Sequence, residues 1–210
     1  FNKMRLTIFP KWYIYNHVTP EYFPYEGTPN TTWDFTNFNV TFWQRLDERI
    51  MELQRANVQA DLILFHPYDN GHWGFDCMGG RDAANYSTVN DERYLRYLVA
   101  RVGAYRNVWY SMANEWDLVK CKARGLPDAS PVWDRLFEVL AAEDVHGHLT
   151  SIHNCVQLYD HSRPWITHIS SQGGYDMAHI KVKYAPKPIV WDEVMYEGGI
   201  PSGWGALTGG

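Results

Sequence analysis

Short apolar runs alternate along this chain with longer segments in which apolar and polar positions recur at helical spacing. Six of the short runs predict strands: MRLTIF (4–9), DLILF (61–65), NVWYSMA (107–113), LTSIH (149–153), WITHIS (165–170) and PIVWD (188–192). Several are apolar at almost every position, which is typical of strands that are covered on both faces of a parallel sheet. The alternation therefore predicts an α/β fold with parallel strands.

The segments between these runs supply the helices. Apolar residues at helical spacing predict helices over 42–58, 91–106 and 130–144, with a shorter one near 176–184. Ser130, followed by Pro131, is a suitable N-cap for the third helix. The connection from His153 to Trp165 is too short for a full crossover helix, so only a turn or two is expected there.

The loops that follow the first three predicted strands are long and rich in Pro, Gly, Asn and aromatic residues. Long loops in a compact domain are usually functional, and in a (β/α)8 TIM barrel the active site is built from the loops after the strands. We therefore predict such a barrel, with residues 1–210 forming a partial catalytic domain that covers about strands 2 to 7. The first and last strands would be missing, and the segment alone is not expected to be a stable, active monomer.

Composition and charge exclude two classes of function. The net charge is −5, and Lys and Arg are scattered without a basic block, so a nucleic-acid-binding surface is not indicated. No apolar run approaches the roughly 18 residues that a membrane span requires.

Aromatic residues make up 16% of the chain, which fits either a carbohydrate site or an aromatic-rich core. Three widely spaced cysteines indicate neither a disulfide framework nor a zinc ribbon.

Carboxylates follow two of the predicted strands. Asn114 and Glu115 close the apolar run NVWYSMA, and Glu193 follows PIVWD. Because residues at the carboxyl ends of barrel strands face the substrate pocket, both glutamates are expected there. Two carboxylates across a pocket are what glycoside hydrolysis requires, since one protonates the leaving oxygen while the other attacks or activates water. Asp192 and Glu197 compete with Glu193 for the second role.

The chain resembles the clan of retaining (β/α)8 glycoside hydrolases that includes cellulases and β-galactosidases. More closely, it is similar to the DUF5605/DUF4038 group of glycosidases, which is related to apiosidase-like enzymes. Six ordered blocks carry this resemblance: FNKMRLTIFPKWYIYN, ADLILFHPYDNGHWGF, YLVARVGAYRNVWYSMANEWD, SIHN, WITHISSQ and KPIVWDEVMYEG. Together they cover nearly the whole chain.

The resemblance implies roles for individual residues. Glu115 would be the general acid/base and Glu193 the nucleophile, while Asn114 would hold the sugar 2-hydroxyl. Arg5 would lie beneath the nucleophile and keep it ionised, with a structural salt bridge as the alternative role. Tyr196 would hydrogen-bond the nucleophile or pack against it. The resemblance implies a carbohydrate substrate, in a plant or microbial oligosaccharide or polysaccharide, and no cofactor.

The segment HPYDNGHWGFD, residues 66–76, supports a second hypothesis. His66, Asp69 and His72 are possible metal ligands, so a metal-dependent barrel hydrolase is an alternative function. Under the glycosidase hypothesis, His66 and Asp69 would instead hydrogen-bond sugar hydroxyls while Trp73 stacks on a sugar ring. A plain role in loop packing remains open for all of them.

Two further histidines close predicted strands. His153 ends LTSIH and His168 lies within WITHIS, so both are candidates for substrate contacts, with burial in the core as the other interpretation. A non-catalytic carbohydrate-binding protein is a third possible function. The paired glutamates favour an enzyme instead, because such a protein has no need of two facing carboxylates.

Overall fold

The structure is a computed structural model, and it describes residues 2–9, 12, 17, 19–29, 31–67, 72–73, 89–118, 130–172 and 177–193. Within these residues, strands and helices alternate: β1 (Lys3–Thr7), α1 (Val40–Arg55), β2 (Gln59–Phe65), α2 (Val89–Val102), β3 (Val108–Ala113), α3 (Ser130–Glu143), β4 (Leu149–Ser151), β5 (Ile169–Gln172), α4 (Met177–Lys183) and β6 (Ile189–Glu193). A single 3-10 turn, Trp116–Leu118, follows β3. Every predicted strand and helix is present.

Two predicted strands end or begin elsewhere than expected. β4 stops at Ser151, and β5 begins only at Ile169, although the apolar pattern placed its start at Trp165. The reason is that the chain before β5 runs through turns that bond sideways to β4. Thr167 donates its backbone N–H to the Thr150 carbonyl at 3.0 Å, and the Thr150 N–H donates to the Thr167 hydroxyl at 2.8 Å. As predicted, this connection contains no helix.

All strand pairs in the described residues are parallel. β1, β2, β3 and β4 form a four-stranded sheet in that order, and β5 pairs with β6. The register sets Arg5 beside Asp61, and Asp61 beside Trp109. Within each of these two sheets, sequential strands are neighbours and run in the same direction, so their carboxyl ends lie at one edge of that sheet, as the barrel prediction requires.

Helix α1 packs on the four-stranded sheet through one apolar face. α1 begins at Asn39, whose side-chain oxygen accepts the N–H groups of Thr41 and Phe42, a cap that is typically worth about 1 kcal/mol. Trp43 and Ile50 of this helix are fully buried, and burial of a large apolar side chain contributes roughly 1.5–3 kcal/mol. No helix in the described part of the chain is long and apolar enough to cross a membrane.

Much of the aromatic excess lies in the core. Trp43, Trp73, Trp116 and Trp133 are almost wholly shielded from solvent, as are several Tyr and Phe rings. Trp133 donates its indole N–H to the Trp116 carbonyl at 3.3 Å, so helix α3 is tied to the turn that follows β3. The aromatic-rich core that composition left open therefore accounts for many of these rings.

Candidate active site

The end of β3 places Asn114 and Glu115 at the edge of the sheet. The Asn114 N–H donates to the Phe65 carbonyl at 2.9 Å, which extends the ladder with β2 by one residue beyond β3. The backbone then turns sharply, because Glu115 has a φ of 52° in the left-handed region. This conformation is uncommon for a residue other than Gly and is favoured at sites where the surrounding structure holds it.

A continuous series of polar contacts joins the two predicted catalytic glutamates. The Asn114 amide nitrogen lies 3.5 Å from Glu115 Oε2, and its amide oxygen accepts from Arg5 Nη2 at 3.2 Å. Arg5 Nη1 in turn lies 3.5 Å from Glu193 Oε1. Side chains from β1, the end of β3 and the end of β6 therefore meet in one cluster. The sequence placed Asn114, Glu115 and Glu193 there from their positions after strands, whereas Arg5 was implied only by the resemblance.

A buried ionic network lies beneath this cluster. Lys3 contacts Asp61 at 2.9 Å and Asp192 at 2.5 Å, and Arg5 Nε lies 3.6 Å from Asp61. Ser170 donates its hydroxyl to Asp192. Burial alone would raise the pKa of Asp192, but the charges of Arg5 and Lys3 and these hydrogen bonds outweigh burial and lower it. Asp192 is therefore held as a carboxylate.

This network separates the roles of Asp192 and Glu193, which sequence alone left in competition. The Asp192 side chain is 3% exposed and faces inward onto Lys3 and Ser170, whereas the Glu193 side chain is 15% exposed. A nucleophile has to reach the substrate, so this geometry favours Glu193. The third competitor, Glu197, lies outside the described residues.

The loop after β4 closes over the turn that carries Glu115. Asp117 accepts three consecutive backbone N–H groups, from Cys155, Val156 and Gln157, at 2.7, 2.7 and 2.8 Å. Burial and, after it, the Glu115 carboxylate raise the pKa of the Cys155 thiol to about 12. Sequence analysis assigned no role to these residues, nor to Lys3, Asp61 and Ser170, although Asp117 stands in the same NEWD stretch as Glu115.

The three histidines with predicted substrate roles are buried. His66 lies with Nε2 at 3.1 Å from the Phe9 carbonyl, and the His153 backbone links the end of β3 to the turn after it. His168 is 3% exposed, with Nδ1 at 3.0 Å from the Thr167 hydroxyl. Burial lowers the pKa of His168, so its imidazole is neutral. These positions fit the core interpretation.

The aromatic residues of the first two loops are arranged differently from one another. Trp73 is fully buried and stacks against Phe9 and Trp33, which fits loop packing, whereas Trp12 is half-buried and stacks on His72 at 3.8 Å between ring centroids. Asp69 and Tyr196 lie outside the described residues. Among the residues that are described, no group of three or more His, Cys, Asp or Glu side chains is placed to hold a metal ion.

One cleft in the described part of the chain lies far from this cluster. A cleft of about 410 Å³ lies at the opposite end of the strands, between the turn after α2 and the start of β4, where Gly103, Arg106 and His146 line it. Because catalytic residues of parallel barrels lie at the carboxyl ends of the strands, the paired glutamates locate the site better than cleft volume does.

Comparison with known proteins shows which family and which solved structures the chain is similar to. The sequence model of the family described as "apiosidase-like, catalytic domain" matches residues 1–209. Among solved structures, the chain is similar to a candidate glycoside hydrolase from Bacteroides vulgatus, with 38% identity and a TM-score of 0.78. That match covers 94% of this chain and 39% of the other. No protein with a curated description matches the chain.

Two more distant structures are similar to this chain in fold. A glycoside hydrolase family 5 protein from Bacteroides vulgatus is 14% identical with a TM-score of 0.59, covering 92% of this chain and 42% of its own. A further glycoside hydrolase is 13% identical with a TM-score of 0.53, and the match covers 83% of this chain and 35% of the other. At such identities the likeness shows the fold alone, and it confirms the predicted α/β barrel architecture. This chain spans less than half the length of each of these structures.

Proposed function

Because this chain belongs to the apiosidase-like catalytic-domain family, we propose that it forms part of the catalytic domain of a retaining glycoside hydrolase. The substrate is a plant or microbial oligosaccharide or polysaccharide. The reaction proceeds by two displacements at the anomeric carbon, with two glutamates and without a cofactor. Neither nucleic acid nor a membrane has a part in it.

The proposed mechanism assigns one task to each glutamate. Glu193 attacks the anomeric carbon and forms a glycosyl-enzyme ester while Glu115 donates its proton to the departing oxygen. In the second step Glu115 takes a proton from water, which attacks the anomeric carbon and releases Glu193 as a carboxylate. Asn114 binds the sugar 2-hydroxyl, and the Arg5 guanidinium, 3.5 Å from Glu193 Oε1, orients the nucleophile.

The contact series Glu115–Asn114–Arg5–Glu193 is the observation that carries this proposal. It brings together two half-buried carboxylates, one just after β3 and one at the end of β6, and ties both to a single guanidinium, to Glu115 through Asn114. A purely structural ion pair would not require Asn114 or a second carboxylate beside it. Asp69 and Tyr196 complete the proposed sugar-binding set on the basis of sequence.

The family name suggests where a search for the substrate should begin. Apiosyl residues are the first sugars to test, within a panel of aryl glycosides of both anomeric configurations. Activity on one member identifies the sugar, and NMR of the first-formed product then shows whether its anomeric configuration is retained. Inversion of configuration would contradict the double-displacement mechanism.

The decisive experiment traps the intermediate in the purified protein. Incubation with 2-fluoro-glycosyl or cyclophellitol-type probes, with and without a chelator, is followed by peptide mapping by mass spectrometry. We expect a label on Glu193 that survives chelation, loss of labelling in Glu193→Gln, and normal labelling in Glu138→Gln, a matched change on the exposed surface of α3. Glu115→Gln should react with activated aryl glycosides and lose activity on unactivated ones. Chelator-sensitive hydrolysis without any label would overturn the proposal in favour of metal catalysis.

A further inference from the structure

We propose that Asp117 and Cys155 are positioning residues that hold Glu115 in the orientation required for proton transfer. This inference rests on the proposed function, because it specifies what keeps the acid/base in place. We refer to Asp117, Trp116 and the loop Cys155–Gln157 as the β4 clamp. The clamp joins the turn after β3, which carries Glu115, to the loop after β4.

The first part of the clamp is the Asp117 carboxylate. It accepts the backbone N–H groups of three successive loop residues at 2.7–2.8 Å, so both of its oxygens are engaged. Hydrogen bonds to an ionised acceptor are roughly twice as strong as neutral ones. A carboxylate two residues after Glu115 therefore fixes the path of a loop that begins on a different strand.

The second part is Trp116, which is hydrogen-bonded to the segment after β4 through both its backbone and its indole ring. Its backbone N–H donates to the His153 carbonyl at 3.0 Å, and its indole N–H donates to the Gln157 carbonyl at 3.0 Å. The Trp116 ring is buried and lies edge-on to Tyr159. With the three bonds to Asp117, these contacts hold the residue after Glu115 against the loop that follows β4.

The third part reaches the acid/base itself. Cys155 is a free, half-buried thiol, and its backbone N–H is one of the three that Asp117 accepts. Burial, followed by interaction with the Glu115 carboxylate, raises the pKa of Cys155 to about 12. The sulfur therefore keeps its proton at neutral pH, so in this proposal it serves as a donor to Glu115 and not as a competing nucleophile.

These contacts explain how Glu115 keeps an unfavourable backbone conformation. A φ of 52° is sparsely populated by residues other than Gly and persists only where neighbouring contacts enforce it. The clamp supplies that enforcement on the carboxyl side of Glu115, whereas Asn114 supplies it on the amino side through the ladder with β2. Loosening the clamp would let the backbone relax and carry the carboxyl group away from the leaving oxygen.

The kinetic test uses leaving groups of different acidity. A phenyl glycoside needs protonation of its leaving oxygen, whereas a 2,4-dinitrophenyl glycoside of the same sugar does not, and kcat/KM reports the first chemical step for both. We expect Asp117→Asn and Cys155→Ala to reduce kcat/KM on the phenyl substrate by roughly 10- to 100-fold. The dinitrophenyl substrate should change by less than about threefold, and Cys155→Ser, which retains a donor, should recover most of the lost activity.

Two matched controls separate positioning from folding. Asp160→Asn alters an exposed carboxylate whose partners are its sequence neighbours Ser162 and Arg163, and Val145→Ala alters an exposed side chain after α3, outside the clamp. Neither should change the ratio between the two substrates. If Asp117→Asn and Cys155→Ala reduce both substrates equally, the clamp contributes only to stability, and the inference is overturned.

A readout that needs no substrate tests the contact between Cys155 and Glu115. Because the Glu115 charge raises the Cys155 pKa, Glu115→Gln should increase the thiolate fraction, about tenfold for each unit by which the pKa falls. Iodoacetamide labelling at mildly alkaline pH, resolved by peptide so that Cys77 and Cys121 are counted separately, should therefore be several-fold faster at Cys155 in this variant. An unchanged rate would overturn the inference even if Glu115 proves to be the acid/base. Unaltered hydrolysis by Glu115→Gln would instead overturn the proposed function.

Discussion

His161 provides a quantitative test of the folded structure. This residue is fully buried, with the rings of Tyr184 and Tyr159 edge-on at 5.4 and 6.2 Å between centroids. Burial, helped by the charge of Lys187, lowers the pKa of His161 from 6.5 to about 3. The folded protein therefore binds the imidazole proton far more weakly than the unfolded chain does.

The sign and size of the effect follow from linkage. Above pH 6.5 the imidazole is neutral in both states and costs nothing. As the pH falls from there towards 3, the unfolded chain is protonated first, so the free energy of unfolding decreases. Between about pH 7.5 and about pH 5 this single group removes about 2 kcal/mol of stability.

The perturbation is His161→Phe, which keeps a ring of similar size in the cavity and removes the titrating group. Urea unfolding of wild type and variant at about pH 7.5, 6 and 5 gives the free energy of unfolding at each pH. We expect wild type to lose about 2 kcal/mol more than the variant over this range. His146→Gln, at an exposed position, serves as the control and should leave the pH dependence of wild type unchanged. Parallel pH curves for wild type and His161→Phe would refute the reasoning.

The ionic network and its link to the glutamates give two further predictions. Lys3→Met leaves the carboxylates of Asp61 and Asp192 buried without their ammonium partner, so it should destabilise the fold by about 3–5 kcal/mol, measured by chemical denaturation. Adding Asp61→Asn should recover part of this loss of stability. No recovery would contradict the pairing of Lys3 with Asp61. Arg5→Lys keeps the charge but loses the forked geometry that spans two site residues. It should lower kcat/KM by roughly 10- to 100-fold, whereas the exposed Arg49→Lys should leave activity unchanged.

The pairing of the glutamates was predictable because it depends on strand order. Apolar runs mark the strands, parallel strands deliver their carboxyl ends to one edge, and Glu115 and Glu193 each follow such a run. The same rule did not place the start of β5, because Trp165 and Ile166 are apolar yet lie in turns. These two residues are apolar because the connection packs onto the core. An apolar sequence pattern alone does not distinguish such a connection from a strand.

The supporting residues were not predictable from one-dimensional pattern. Asp61 opens an apolar run and reads as the polar boundary of a strand, although it is fully buried against Lys3 and Arg5. The partners of Asp117 lie in a loop about 40 residues later, so nothing local indicates that its carboxylate is satisfied by backbone N–H groups. Such long-range contacts depend on tertiary packing, which sequence spacing does not encode.

Arg5 bridges two parts of the cluster that no strand pairing joins in the described residues. Within the described residues β6 pairs only with β5, so Glu193 and Asn114 stand on separate sheets and are spanned by one guanidinium. The guanidinium is planar and rigid, so it limits how far Asn114 and Glu193 can move apart. For the reaction proposed above, a gap of about 5–5.5 Å between the carboxylates gives retention and one of about 6.5–9.5 Å gives inversion, so Arg5 would influence the stereochemistry of the product without touching the reacting bond.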